Sequence, residues 1–159
     1  MFQNTRTVKD HKYFMNVALD EAERALSINE VPIGAIIVKD NEIIGRGHNT
    51  VIQNNSVVSH AELNAILDAS KNINNYRLVD CDMYVTVEPC YMCCMALVHA
   101  RIANLYFDTK QPKTGAVTSI DKFLENTSHN HKVNFIHLNQ TPKTKSILVD
   151  FFKKRRKIF

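Results

Sequence analysis

The chain has 159 residues, of which 45% are hydrophobic and 23% charged, with a formal net charge of +4. That length suits a single domain, 1–159, and is enough to bury a real core. No apolar run approaches the roughly 20 residues of a membrane-spanning helix. The polar lead from Met1 to Asp10 lacks the hydrophobic stretch of a secretory signal, so a cytoplasmic protein with no membrane partner is expected.

In chain order, Asp10 can cap a helix whose apolar positions Phe14, Val17, Ala18, Ala22, Ala25 and Leu26 share one face. Pro32 and Gly34 break that pattern. Residues 35–38 then read as a strand, Asp40-Asn41 as a tight turn, and 43–47 as the hairpin partner. After a polar loop, 49–59, a second helix is expected over 60–70, with Ser59 as candidate cap and Ala61, Ala65 and Ala69 on one stripe. The aromatic and β-branched residues of 83–87 make the next strand; Pro89 stops it and opens a helix over 90–99. A short strand at 105–107 is followed by a polar loop, 108–118, and a weak helical turn around 120–124. A strand over 133–138 and a helix over 144–154 close the chain. Strands alternating with helices imply a mixed α/β sheet covered by helices on both faces, with the hairpin as its antiparallel edge.

Four cysteines are present, and Cys90, Cys93 and Cys94 crowd into five positions. With no secretory signal, metal binding or catalysis is the better reading than a disulfide framework. Cys90 and Cys93 stand three apart at a helix start, where the backbone dipole favours thiolates, although a redox pair would share that spacing. His60 opens the preceding helix, and the strand 83–87 runs between the two. Both helix starts can therefore converge on one point, offering two sulfurs and one nitrogen to a tetrahedral zinc with a fourth position left for water. Glu62, about 200° round the helix from His60, can still reach that water as a proton carrier. Taken singly, His60 reads as a cap or surface group and the cysteine pair as buried thiols; their joint occurrence favours the metal. Cys94 and Cys81 read as small core residues, and His48, His99, His129, His131 and His137 as structural or surface groups.

Lys153 to Lys157 form an unbroken basic run, and Lys113, Lys143 and Lys145 add to the charge of the last third. Such asymmetry suits a polyanionic partner, and equally a solvated helix end that complements its own dipole.

The His60-Ala61-Glu62 and Pro89-Cys90-Tyr91-Met92-Cys93 segments resemble the His-x-Glu and Pro-Cys-x-x-Cys signature of the zinc deaminases, the cytidine and deoxycytidylate deaminase family. That signature alone is silent on substrate: a free base, a nucleoside or an RNA all remain open, as does a zinc-stabilised RNA-binding module. Further segments are similar to the bacterial tRNA-specific adenosine deaminases. They are 30–35, Gly47-His48-Asn49, 75–78, 84–88, His99-Ala100-Arg101-Ile102, Lys113-Thr114-Gly115-Ala116 and 150–156. The resemblance implies a cytidine-deaminase-like three-layer α/β/α sandwich with a central mixed sheet of about five strands. It implies one zinc per subunit, a homodimer, and conversion of adenosine to inosine at the wobble position of a tRNA anticodon stem-loop. It also implies that Asn49 and the Ala61 N–H bind the flipped base, that Glu62 shuttles protons, and that Val31 and Ile33 wall the pocket on a loop fixed by Pro32. Lys113, Phe152, Lys153, Arg155 and Arg156 would contact RNA, with one of Phe151 and Phe152 serving helix packing. The chain departs from the family pattern where Asp108 replaces a Gly, Gln111 replaces an Asp, and Cys94-Met95 replaces Ala-Gly.

Overall fold

The computed structural model describes residues 8–158; Met1 to Thr7 of the polar lead and the terminal Phe159 lie outside the described residues. Helix α1 spans His11–Ser27 and begins as expected, with the Asp10 carboxylate accepting the Tyr13 N–H at 2.8 Å. Strands β1 (Gly34–Lys39) and β2 (Glu42–His48) form the hairpin. Its two turn residues, Asp40 and Asn41, both hold positive φ, the geometry that matches the twist of paired strands. Helix α2 (Ala61–Asn72), β3 (Asp82–Val87), α3 (Tyr91–Ala100) and β4 (Asn104–Thr109) follow. A 3₁₀ turn at Phe123–Glu125, β5 (Asn134–His137) and α4 (Pro142–Arg156) complete the order.

The five strands make one mixed sheet in the order β2-β1-β3-β4-β5. β1 is antiparallel to β2 and β3, whereas β3, β4 and β5 run parallel, so α3 is the crossover that joins β3 to β4. On one face, Ala61, Ala65 and Ala69 of α2 and Cys94, Leu97 and Val98 of α3 pack on Ile37, Met83, Val85, Leu105 and Phe107. On the other, Phe14, Met15 and Ala18 of α1 cover Ile36, Val38, Tyr84 and Tyr106. α4 lies beside α1 and reaches β3 and β4. Alternation along each strand thus divides the core into two layers, and the three-layer α/β/α expectation holds.

The alanine stripe has a partner that periodicity does not announce. A Cβ at Gly47 would lie 2.4 Å from Ala61 O and from Ala65 N, and one at Gly45 would lie 2.6 Å from Ala65 O. α2 therefore rests with its backbone almost on β2. Small residues on both sides permit that approach and set the depth at which His60 enters the site.

Two helix starts differ from expectation. His60, and not Ser59, is the N-cap of α2; the Ser59 backbone is engaged with Ser56 and Thr50 within the preceding loop. α4 begins at Pro142, two residues before Thr144, because proline suits the first helical position, where an N–H would have no intrahelical partner. Among the described residues, no helix is long and apolar enough to cross a membrane.

Candidate metal centre

The N-caps of two helices meet at one point. His60 caps α2 and Cys90 caps α3, each with extended backbone and neither using its side chain to bond its own helix. Those side chains turn towards each other: Cys90 Sγ lies 3.7 Å from His60 Nδ1, and Cys93 Sγ lies 3.5 Å from the same nitrogen. Three ligand atoms, one from each residue, fall within 4.8 Å of one another. Nitrogen and sulfur ligands of a tetrahedral zinc stand about 3.5 Å apart, so the spacing fits that ion without rearrangement. Cys93 is buried while His60 and Cys90 are partly exposed, which leaves one side of the cluster open.

The electrostatics point the same way. A hydrogen bond from Cys93 holds the Cys90 thiol down to about 4; burial opposes this, and His60 assists it. Cys93, the donor of that bond and deeply buried, is pushed upward instead. The hydrogen bond to Cys90 raises His60 above its ordinary value, against desolvation. Two sulfurs this close are not both thiolate unless a cation lies between them, so the donor set itself calls for a metal. The positive ends of α2 and α3 add to the stabilisation of negative charge here.

Glu62 is 4% exposed and stands on the first turn of α2. Burial raises its carboxyl above the usual range, partly offset by a hydrogen bond involving Cys93 and by the charge of His60. A carboxyl with a raised pKa, beside the ligands yet not one of them, is poised to exchange protons.

Asn49 is joined to the same helix start. Its Oδ1 accepts the Ala61 N–H at 2.8 Å, while its own N–H donates to the Ile33 carbonyl at 3.2 Å. The segment that carries Val31 and Ile33, both half-buried, is thereby tied to the first turn of α2. The Ala61 N–H, expected to face a base, is given to Asn49; Asn49 Nδ2 has no partner among the described residues.

Glu88, two residues before Cys90, is 3% exposed and gathers the loop after β4. Its Oε2 accepts the N–H groups of Val117, Thr118 and Ser119 at 3.1, 2.9 and 3.0 Å, and its Oε1 accepts the Ser119 O–H and the Gln111 N–H. Burial opposes the charge on Glu88, but these donors, Ser119 foremost, hold its carboxyl below the usual range. Lys113 is exposed on that loop. A Cβ at Gly115 would lie 2.4 Å from Glu88 Cδ, so only glycine lets the loop close over the carboxylate.

On α4, Phe151 is buried and Phe152 is 40% exposed, so the two rings divide packing from display. Lys153 and Arg156 are exposed; Arg155 lies over the Phe151 ring and donates to the Asn29 carbonyl at 2.9 Å. Cys94 and Cys81 are fully buried core residues. His129, His131 and His137 bond backbone carbonyls, His48 pairs with Glu21, and His99 is exposed.

Residues 8–109 match the family model of the cytidine and deoxycytidylate deaminase zinc-binding region. A tRNA-specific adenosine deaminase of Aquifex aeolicus is 42% identical over 145 residues, covering 91% of this chain and 95% of that protein. One from Streptococcus pyogenes serotype M1 is 39% identical over 150 residues, covering 94% and 88%. This chain belongs to that deaminase family. A structure from work on A-to-I editing by tRNA:A34 deaminases at the wobble position of transfer RNA superposes with a TM-score of 0.83 at 38% identity, covering 87% of this chain and all of that one. Guanine deaminase from Bacillus subtilis, 28% identical, superposes at 0.63 over 94% and 95% of the two chains. The family is a zinc-binding one, and the His60, Cys90 and Cys93 cluster is a group that could hold that ion.

Two buried carboxylates outside the ligand cluster carry no ligand pattern in the sequence. Glu88 was visible as the acidic end of the 84–88 segment that resembles the family, with no role attached, at a position where burial demands a set of donors. Asp108, 3% exposed, was visible only as a departure from the family pattern, and it proves to be a buried hydrogen-bond acceptor.

Proposed function

We propose that this chain, acting as a single deaminase domain within a cytoplasmic homodimer, converts adenosine to inosine at the wobble position of a tRNA anticodon. The observation that carries this reading is the meeting of two helix N-termini at His60, Cys90 and Cys93 beside a buried Glu62, in a chain 42% identical to a tRNA-specific adenosine deaminase. His60, Cys90 and Cys93 would hold the zinc, which would supply Lewis-acid activation of water.

Each protein group has a separate task. Glu62 takes a proton from the attacking water and passes one to the departing amino group, so that ammonia leaves and a carbonyl remains at C6. Burial raises its carboxyl above the ordinary carboxylate range, as suits a group that can both accept and return a proton. Asn49, anchored through Oδ1, turns Nδ2 to the base, and Ala61 acts by fixing that amide. Val31 and Ile33 supply an apolar wall that keeps bulk water from the base. An anticodon loop offers a nucleotide already partly unstacked, which lowers the cost of extruding it. Lys113, Lys153 and Arg156 meet backbone phosphates, Phe152 stacks on a base, and Arg155 braces the helix against Asn29 while adding charge.

The test is to incubate the zinc-loaded protein with a tRNA anticodon stem-loop bearing adenosine at the wobble position and to sequence the product. Inosine at that position is expected. Absence of inosine with one zinc per chain would overturn the reading, and turnover of free guanine alone would move the chain to the chemistry of its Bacillus subtilis neighbour.

A further inference from the structure

The helix that carries the basic run begins without a cap of its own. Thr141 is the N-cap of α4, yet its side chain makes no cap hydrogen bond and its buried Oγ1 has no partner among the described residues. An acceptor comes from another element. Asp108, on β4, reaches the start of α4 with both carboxylate oxygens: Oδ1 accepts the Gln140 N–H at 2.8 Å, and Oδ2 accepts the Thr141 N–H at 3.2 Å and the Thr144 hydroxyl at 2.7 Å. Thr144 also lies 2.8 Å from the Thr109 hydroxyl, and the His137 ring bonds the Asp108 carbonyl at 2.8 Å. The carboxylate stands at the positive end of the helix dipole, where negative charge is favoured.

The same strand end touches the metal centre. The Thr109 carbonyl accepts the Glu88 N–H at 2.8 Å, two residues before Cys90, and the loop that carries Lys113 leaves β4 directly after Thr109. β4 is therefore the junction between the zinc ligands and α4. A local cap would start the helix equally well, but it would not fix where the helix stands relative to the sheet. A carboxylate rooted in the sheet does both.

We propose that Asp108 is a positioning residue for the RNA substrate, setting the placement of α4, and with it Phe152, Lys153 and Arg156, relative to the zinc centre without touching substrate itself. This rests on the tRNA reading above. Weakening the tether leaves chemistry at a bound base intact but lets the α4 contacts drift from their register with it. The cost appears in KM and leaves kcat largely alone.

The experiment is a double-variant cycle on anticodon stem-loop deamination, read as KM and kcat at a temperature well below unfolding, with zinc content checked for each protein. Asp108→Asn keeps the shape but turns an amide donor towards the N–H groups of the α4 start. It is expected to raise KM about three- to tenfold, with kcat within about twofold of the parent. In a Phe152→Ala/Lys153→Ala/Arg156→Ala background, where α4 has little left to position, Asp108→Asn is expected to add almost nothing. Thr144→Val removes the hydroxyl donor to Asp108, together with that hydroxyl's contacts to Thr109 and the Thr141 carbonyl, and leaves the Asp108 bonds to the Gln140 and Thr141 N–H groups. It runs through the same cycle and carries the test if Asp108→Asn does not fold, with a smaller shift expected. An unchanged KM in the parent background, or equal effects in both backgrounds, would overturn the proposal. Failure of the parent protein to make inosine at all would instead overturn the tRNA reading, and this proposal with it.

Discussion

Asn49 and Ala61 are joined by a 2.8 Å hydrogen bond from the Ala61 N–H to Asn49 Oδ1, with both residues buried. The bond satisfies one of the orphan donors at the start of α2, which the His60 side chain does not serve because it turns to the ligand cluster. The residue proposed to bind the base and the acceptor at the helix start are thus one group. Asn49→Ala is expected to strip that donor of its acceptor and lower stability by about 1–3 kcal/mol, besides cutting kcat/KM. Asn49→Asp keeps an acceptor for Ala61 but loses the Nδ2 donor, so it should cost less stability and no less activity. Thermal unfolding and initial rates on the two variants check this; equal unfolding temperatures would detach the cap from the amide.

Glu62→Ala should abolish deamination while leaving the metal in place. Glu62 is buried beside the ligands but is not among the three residues whose ligand atoms converge. Loss of a general acid–base group of this kind costs about 10²–10⁴-fold in rate. Metal analysis and inosine formation on the same preparation decide the point, and loss of zinc together with activity would make Glu62 a ligand instead.

Removal of a ligand should act on folding as well as on chemistry. His60 and Cys90 are the N-caps of α2 and α3, so a metal held between them would tie two helix starts to each other. Cys90→Ser or His60→Ala is expected to lose zinc and to lower the unfolding temperature by more than Glu62→Ala does. Chelation of the parent protein should produce the same fall, reversed by added zinc. An unfolding temperature indifferent to chelator would confine the metal to catalysis.

Glu88 offers a prediction in pH. Its carboxyl is held below the ordinary value of 4.5, since the donors from Ser119, Thr118 and Gln111 outweigh the opposing effect of burial. A depressed pKa means that the folded state binds its proton less readily than the unfolded chain does. The stabilisation is therefore complete above the unfolded value and is lost as pH falls through the lower folded value. Glu88→Gln keeps one acceptor but points an amide at N–H donors, so it should unfold at a lower temperature than the parent near neutral pH. The gap between the two should narrow in acid. A gap that stays constant into acid would remove the carboxylate charge as its cause.

How much of this was legible beforehand depended on whether a residue works through its neighbours in sequence or through distant ones. The Asp10 cap, the Asp40-Asn41 turn and the Ala61, Ala65, Ala69 stripe are local, and each stands where its residue type predicts. His60, Cys90 and Cys93 were legible because two helix starts flank one strand, a relation that follows from element order. Ser59 failed as a cap because the metal cluster takes the His60 side chain and Asn49, twelve residues back, supplies the acceptor. Glu88 and Asp108 were not legible as anchors, since their donors lie 23–31 and 32–36 residues away. No periodicity encodes a partner at that distance.

Gly47 tests the packing that sets the depth of the site. A methyl group there would lie 2.4 Å from the Ala61 carbonyl and from the Ala65 N, both of them backbone atoms that cannot rotate aside. Gly47→Ala must therefore push the first turn of α2 away from β2, at a cost of about 1–3 kcal/mol for overpacking. That turn carries His60 at its cap and Glu62 behind it, so the displacement separates His60 from Cys90 and Cys93 on α3. The expected result is a lower unfolding temperature together with weaker zinc retention against a competing chelator. Ala65→Gly in the same protein would leave the backbone clash in place, so it should not restore either measurement. Full zinc affinity in Gly47→Ala would show that the ligand cluster holds its geometry independently of the α2 contact with β2.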